Sequence, residues 1–215
     1  MRACFLLVVA FGLALAGRST ADEARTFQVL VEGKPAGHFQ VRIADKDGAT
    51  ECRAVARVEV KTLVGTFRYS LESQEVWRDG RLVGLRTVAD DDGTKHDVNL
   101  TTDGAVATLR ADGKETKGRG AVWPTTYWRL PPGAEKGGPV TLLDSDTGKL
   151  IPAKLEQLGA DKVRFLGKEQ AATKYRVSGG VDVTLWYDAG GRLVRETFVE
   201  SGHRTVLELT EQTDK

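Results

Sequence analysis

The stretch that decides the fold is ECRAVARVEVK, residues 51–61. Small or apolar side chains fill the even positions from Cys52 to Val60, and charged side chains such as Arg53 and Arg57 fill most odd positions. Strict alternation with a period of two is typical of a strand that buries one face, and it excludes an amphipathic helix. The small side chains at positions 52 to 56 also predict that something bulky crosses the buried face.

The same alternation continues on both sides of this strand, and turn signals separate the alternating runs. Asp-Gly pairs readily adopt the positive φ angles of tight hairpins, so each pair predicts an antiparallel reversal. The sequence therefore predicts an all-β fold, a curved antiparallel meander sheet that forms a half-barrel or a barrel, with strand order and closure left open. The predicted reversals are Asp47-Gly48, Asp79-Gly80, Asp92-Gly93, Asp103-Gly104, Asp112-Gly113 and the segments 33–37, 145–148, 188–191 and 200–203.

Aromatic residues are concentrated in the segment VWPTTYW, residues 122–128. Two interpretations are open for this segment. Pro124 suits the first turn of a short helix, and the aromatic side chains suit a plug at the open end of the curved sheet. Residues 131–140 are rich in glycine and proline and are predicted to be a connector within one β-rich domain that covers residues 22–215.

The amino terminus has the layout of a secretory signal peptide, residues 1–21. Arg2 precedes an apolar run that is too short to span a bilayer comfortably, and Ser19-Thr20-Ala21 is a small-x-small cleavage signal. We therefore expect a periplasmic or secreted protein with no transmembrane segment after cleavage. Cleavage also leaves Cys52 as the lone cysteine, so stability must come from the core rather than from a disulfide.

Charge and motifs give little support for nucleic-acid binding or catalysis. The chain has 31 basic and 30 acidic side chains, which offers no electrostatic argument for a nucleic-acid partner. His38, His96 and His203 lack the local spacing of a zinc site, and Cys52 is expected to be an inert buried thiol. No catalytic residue, metal or cofactor is predicted. An enzyme is not favoured, and the least favoured function is a hydrolase that gathers His38, Glu75 and Asp188.

Glu75 is the one carboxylate that the alternation places on a buried face. The run from Phe67 to Trp77 puts it among apolar side chains, where an unpaired charge is costly. We expect Arg81 or Arg86 on the following strand to pair with it. The alternative is a bulge near Ser73 that turns Glu75 outward.

A ligand that contacts aromatic side chains on a concave face is the leading functional hypothesis. Trp and Tyr can line an apolar pocket and offer a hydrogen bond at its mouth, although a purely structural plug is the simpler role. The ligand would be a lipid or a lipoprotein acyl chain. The alternative is a module that docks onto an envelope protein, with a long strand such as 50–61 as a free edge. The predicted ligand-binding residues are Trp77, Trp123, Tyr127, Trp128 and Trp186.

Three motifs carry a resemblance to a known family. They are EVWRDGRL at 75–82, TTYW at 125–128 and WYD at 186–188. With them the chain resembles a family of uncharacterised exported bacterial envelope proteins, known only as a domain of unknown function, over residues 26–210. That family implies no catalytic residues. A more distant likeness, at the level of the fold, is to periplasmic lipoprotein carriers, which bind acyl chains in a concave apolar cavity.

Overall fold

The structure is a computed structural model that describes residues 23–62, 65–103, 105–119 and 121–214. The predicted signal peptide, residues 1–21, lies outside the described residues. The described part contains fifteen strands and one short 3-10 helix, Ala134–Lys136. The strands are β1 Glu23–Val31, β2 Lys34–Lys46, β3 Ala49–Lys61, β4 Thr66–Arg78, β5 Arg81–Asp91, β6 Thr94–Asp103, β7 Val106–Ala111, β8 Lys114–Arg119, β9 Trp123–Pro124, β10 Gly138–Leu143, β11 Leu150–Phe165, β12 Lys168–Gly179, β13 Val183–Tyr187, β14 Leu193–Glu200 and β15 His203–Asp214.

All fifteen strands of the described residues belong to one curved sheet with the order β8-β7-β6-β5-β4-β3-β2-β1-β15-β14-β13-β12-β11-β10-β9. Strands that follow each other in the chain are neighbours in the sheet, except β8 and β9, and the antiparallel pair of β1 with β15 joins the two halves. The predicted antiparallel meander is therefore confirmed. The sheet is not closed by backbone hydrogen bonds, because β8 and β9 form its two edges.

β3 is an inner strand, which corrects the expectation of a free edge at residues 50–61. It pairs with β2 over ten residues from Ala49 to Val58 and with β4 over twelve from Thr50 to Lys61. Each side of the strand is thus occupied, because consecutive hairpins place it between its two chain neighbours.

Seven reversals among the described residues are two-residue hairpin loops in which both loop residues have positive φ, the pattern of a type I′ turn. Four of them are Asp-Gly pairs predicted from the sequence, and Ser201-Gly202 lies in a predicted segment. The first loop is Glu32-Gly33 rather than 33–37, because Lys34 already pairs with Val31. β6 and β7 also reverse as predicted, since Asp103 pairs with Val106, and Gly104 between them lies outside the described residues.

The predicted short helix at 124–128 is wrong. Trp123 and Pro124 form β9, which runs parallel to β10, and the Thr125 N–H donates to the Leu143 carbonyl at 3.0 Å. This extended entry and the positive φ of Tyr127, 47°, are incompatible with a helical turn. The short 3-10 helix instead lies in the predicted connector, which ends where β10 begins at Gly138.

One face of the sheet carries the hydrophobic core, and we call it the inner face. Its members alternate with more exposed side chains along the long strands β2 to β5, as the sequence predicts. No helix of the described residues is long and apolar enough to cross a membrane. Representative inner-face residues are Phe27, Val41, Ala54, Leu71, Leu85, Val98, Leu185 and Leu209.

Candidate functional site

Residues 123–130, which we call the interior segment, lie against the inner face of the sheet. The side chains of Trp123, Thr126, Tyr127 and Trp128 are all buried. Tyr127 has a φ of 47°, and among the described residues it is the only non-glycine residue with positive φ outside the two-residue hairpins. A bulky residue in this region costs on the order of 1–3 kcal/mol and persists only where its surroundings hold it.

Glu75 is the polar centre beneath the interior segment, and its side chain is only 1% exposed. Three side-chain donors converge on it. The Thr126 hydroxyl donates to Oε1 at 2.5 Å, and the indole N–H groups of Trp77 and Trp128 donate to Oε2 at 2.8 Å each. Burial raises the pKa of Glu75, and these hydrogen bonds oppose that shift because they favour the charged form.

The partners expected for Glu75 from the sequence are wrong, although its inward orientation is confirmed. Arg81 and Arg86 are exposed. The register shift between β4 and β5 falls at Val76/Trp77, after Glu75, so it does not turn the carboxylate outward. Neutral donors replace the expected cation: Trp77 lies on the same strand, and the interior segment brings Thr126 and Trp128 from more than fifty residues away.

The inner face also binds the backbone of the interior segment. The Arg25 guanidinium donates from Nη1 to the Trp128 carbonyl at 2.8 Å and from Nε to Glu23 at 2.6 Å. The Tyr187 hydroxyl donates to the Tyr127 carbonyl at 2.8 Å. Arg25 was not among the residues predicted from the sequence, although the alternation that buries Phe27 also places Arg25 on the inner face.

Aromatic contacts complete the cluster. Trp77 meets Trp128 edge to face with ring centroids 6.1 Å apart, and Trp123 meets Tyr127 in the same way at 4.9 Å. The Arg129 guanidinium lies 5.5 Å from the ring centroid of Trp77 and 5.3 Å from that of Trp128. Such cation–π pairs add specificity to the packing.

The small side chains of β3 lie next to this cluster. Cys52 pairs in register with Glu75, whose carboxylate accepts the Trp128 indole, so the interior segment is the bulky group expected over this face. Burial raises the pKa of the Cys52 thiol well above its ordinary value, which keeps it protonated and unreactive.

Four of the five predicted ligand-binding residues come together here, and Trp186 does not. Trp77, Trp123, Tyr127 and Trp128 meet at the inner face. Trp186 is also buried, but its indole N–H donates to Asp161 at 2.9 Å and its ring lies 5.2 Å from the Lys174 ammonium. It occupies the opposite, outer face of β13, because it alternates with the inward side chains of Leu185 and Tyr187.

A second buried carboxyl group, Glu196 on β14, was not predicted from the sequence. The period-two alternation could have predicted its burial, because the apolar residues Val194 and Phe198 lie two positions before and after it. No hydrogen bond to the Glu196 carboxyl is found among the described residues, and burial raises its pKa to about 8. The buried Tyr127 hydroxyl has no hydrogen-bond partner in the described part of the chain. Burial raises the pKa of that hydroxyl, and the negative charge of Glu196 adds to the shift.

The loop between β10 and β11 also packs against the first half of the sheet. The Tyr69 hydroxyl lies 2.8 Å and 2.9 Å from the two carboxylate oxygens of Asp146 and donates to them. Burial raises the pKa of Asp146 to about 6, and the hydrogen bond from Tyr69 opposes this shift. A Cβ at Gly148 would lie 2.6 Å from that of Ala111, which shows how closely the loop approaches β7.

The residues considered for a hydrolase do not converge. His38 is exposed on β2, Glu75 is buried at the inner face, and Asp188 stabilises a hairpin by accepting the N–H groups of Gly190 and Arg192. Within the described ranges, no group of three or more His, Cys, Asp or Glu side chains is placed to hold a metal ion.

The fold and the cluster define a class: an open, barrel-like all-β protein whose concave face is covered by a segment of its own chain. The chain belongs to the family described as domain of unknown function DUF6134, whose model matches residues 27–210. This confirms the resemblance to an uncharacterised family. Among proteins of curated function, none matches the chain by sequence.

A solved structure supports the barrel-like fold. The chain is similar to the beta-barrel-like protein of domain of unknown function DUF1849 from Brucella abortus, with a TM-score of 0.62 and 10% sequence identity. The match covers 91% of this chain and 98% of that chain. At this identity the likeness concerns the fold alone.

Proposed function

We propose that this protein binds an apolar or amphipathic, lipid-like ligand against its inner face, in the place of the interior segment. The observation that carries the proposal is the way in which the segment is held. The backbone of the segment meets the sheet at its two ends, where residues 123–125 bond to β10 and residues 128 and 129 bond to residues 192 and 193. Between these ends, side-chain hydrogen bonds with Glu75, Arg25 and Tyr187 hold residues 126–128. A segment with few ladder hydrogen bonds and a strained tyrosine leaves a sheet at lower cost than a full strand does.

The ligand would be a lipid or a lipoprotein acyl chain, in the periplasm or outside the cell. Trp77 would contact it from the sheet, and Trp123, Tyr127 and Trp128 would cover it from the displaced segment. Apolar surface removed from water contributes roughly 25 cal/mol per Å². Trp186 is left out of this lining because it lies on the outer face.

The test is lipid extraction and mass spectrometry of the protein, purified gently from a bacterial periplasm. A stoichiometric acyl species is expected with the natural chain, and its amount should fall in Trp128→Ala. Trp186→Ala is the matched control, because it removes an equally buried tryptophan from the other face and should keep the acyl species. A natural chain that carries no extractable species, and that binds no added acyl probe, would overturn the proposal.

The second candidate function is docking onto an envelope protein, favoured by the unpaired edge of β8. In the described part of the chain this strand pairs with β7 alone, and an exposed edge accepts an added strand. A photo-crosslinking residue at Lys117 on β8 should capture one defined partner in the bacterial host. The control is the same photo-crosslinking residue at Val88, which is 47% exposed and lies on β5, a strand with a partner on each side. Equal products from both positions would contradict docking at this edge.

A further inference from the structure

Trp128 presents two complementary groups to the inner face. Its indole N–H reaches the Glu75 carboxylate, and its carbonyl oxygen accepts from the Arg25 guanidinium, both at 2.8 Å. Thr126 adds a second donor to Glu75. The sheet therefore recognises a neutral, donor-bearing and carbonyl-bearing group within an aromatic, apolar surround.

These contacts set the requirements for whatever replaces the interior segment. Without Thr126 and Trp128, Glu75 would keep only the Trp77 donor, and a buried carboxylate that loses its donors is strongly disfavoured. Arg25, which is 3% exposed, would lose its carbonyl acceptor. A replacement must therefore donate hydrogen bonds to Glu75 and accept one from Arg25.

The charges on the inner face around Glu75 and Arg25 disfavour an anionic head group. Arg25 is already paired with Glu23 at 2.6 Å, so these two charges offset each other. Arg129, the cation nearest to the Trp77 ring, belongs to the interior segment and would leave with it. A carboxylate head group offers no donor to Glu75. It would be repelled by the charged form of Glu75, or it would force that buried carboxyl group to take up a proton first. A cationic head would satisfy Glu75 but would leave the buried Arg25 facing a like charge without an acceptor.

We propose that Glu75 makes the interior site selective for a neutral, amide-bearing amphiphile, and that the site rejects free fatty acids. This inference rests on the proposed function, because it names the head group of the ligand that would replace the interior segment. Glu75 is the specificity-determining residue, and Arg25 positions the carbonyl of the head group.

Two probes that differ only in the head group test the inference. Decanamide and decanoate are titrated into the natural chain at a pH above neutrality, with intrinsic tryptophan fluorescence as the readout. Decanamide is expected to bind about 30-fold more tightly, the ratio given by losing a hydrogen bond to a charged group. Equal affinities would overturn the inference and leave the proposed function standing. No binding of either probe would overturn the proposed function itself.

Variants then assign the selectivity to one residue. Glu75→Gln keeps the size and removes the charge, and it should reduce the ratio to about 5-fold or less. Glu196→Gln is the matched control, a second buried glutamate away from Trp128, and it should keep the full ratio. An unchanged ratio in Glu75→Gln would show that another group discriminates.

A second variant keeps the test decisive if Glu75→Gln does not fold. Trp128→Phe preserves the aromatic packing but removes one of the two donors of the interior segment to Glu75, which leaves Oε2 free to accept a hydrogen bond from a ligand. Decanamide affinity should rise in this variant while decanoate affinity stays unchanged. A parallel rise for both probes would overturn the role of Glu75.

Discussion

Glu75 on β4 and Glu196 on β14 are both buried at the inner face, one in each half of the sheet, and their surroundings differ. Three side-chain donors surround the Glu75 carboxylate, and none is found for Glu196 among the described residues. Burial raises the pKa of both groups, to about 8 for Glu196. The comparison teaches that donors, rather than depth alone, decide whether a buried carboxyl group can hold its charge.

Asp146 is an intermediate case with one side-chain donor. The Tyr69 hydroxyl reaches both of its oxygens, and its pKa is raised to about 6. The pKa of Asp146, with one donor, rises from 3.8 to about 6, and the pKa of Glu196, with none found, rises further, from 4.5 to about 8. These groups can be separated by experiment, because no donor contacts two of them.

The same substitution at the two glutamates should give the largest contrast. Glu75→Met leaves three buried donors without an acceptor and should lower the free energy of unfolding by about 4 kcal/mol. Glu196→Met orphans no donor found among the described residues. It also removes a buried carboxyl group whose raised pKa lowers stability near neutral pH, so the free energy of unfolding should rise by about 3 kcal/mol. Urea unfolding of the two variants checks this, and equal losses would break the comparison.

The pH dependence of stability should report the raised pKa of Glu196. Between its ordinary value of 4.5 and about 8, the unfolded chain releases the proton while the folded protein retains it. The stabilisation from Glu196 is therefore complete below this window and is lost as the pH rises through it, by on the order of 1.4 kcal/mol per pH unit. Glu196→Gln should remove this slope from the difference between variant and natural chain, measured by urea unfolding across the window. A slope unchanged by the substitution would mean that Glu196 is ionised in the folded protein.

Removing the donor to Asp146 should have an intermediate effect. Tyr69→Phe leaves the half-buried Asp146 carboxylate without its side-chain donor and should lower the free energy of unfolding by about 1–2 kcal/mol at pH values above the Asp146 pKa. At acidic pH the loss should shrink, because the protonated carboxyl needs the donor less. A loss that is independent of pH would point to packing rather than to the hydrogen bond. Thermal unfolding at the two pH values distinguishes these outcomes.

The smallest expected effect is the difference between removing a donor to the charged acceptor Glu75 and removing a donor to a neutral hydroxyl acceptor. Thr126→Val removes one of the three donors to Glu75 and should cost about 2 kcal/mol. Thr87→Val breaks a hydrogen bond of 2.8 Å to the buried Ser73 hydroxyl and should cost about 1 kcal/mol. Chemical denaturation of both variants measures the difference. Identical costs would indicate that Glu75 is protonated in the folded protein.

Much of the local structure could be predicted because it depends on neighbours in the chain. The alternation in residues 51–61 predicts β3, and the Asp-Gly pairs predict four type I′ hairpins. Leu166-Gly167 forms the same turn without a recognisable signal, because leucine rarely adopts positive φ. The alternation also places Trp186 on the face of β13 opposite to Leu185 and Tyr187. This signal is lost when Trp186 and Tyr187 are treated together as one aromatic cluster.

The partners of Glu75 could not be predicted, although its burial could. Period two fixes the face of a strand on which a side chain lies, so the sequence by itself determined an antiparallel all-β chain with Glu75 turned inward. Only the tertiary structure decided that Thr126 and Trp128, 51 and 53 residues away, would supply its donors. It also decided that β1 would pair with β15 and that β8 and β9 would remain edges. The physical reason is that such contacts depend on the curvature of the whole sheet, which no local pattern encodes.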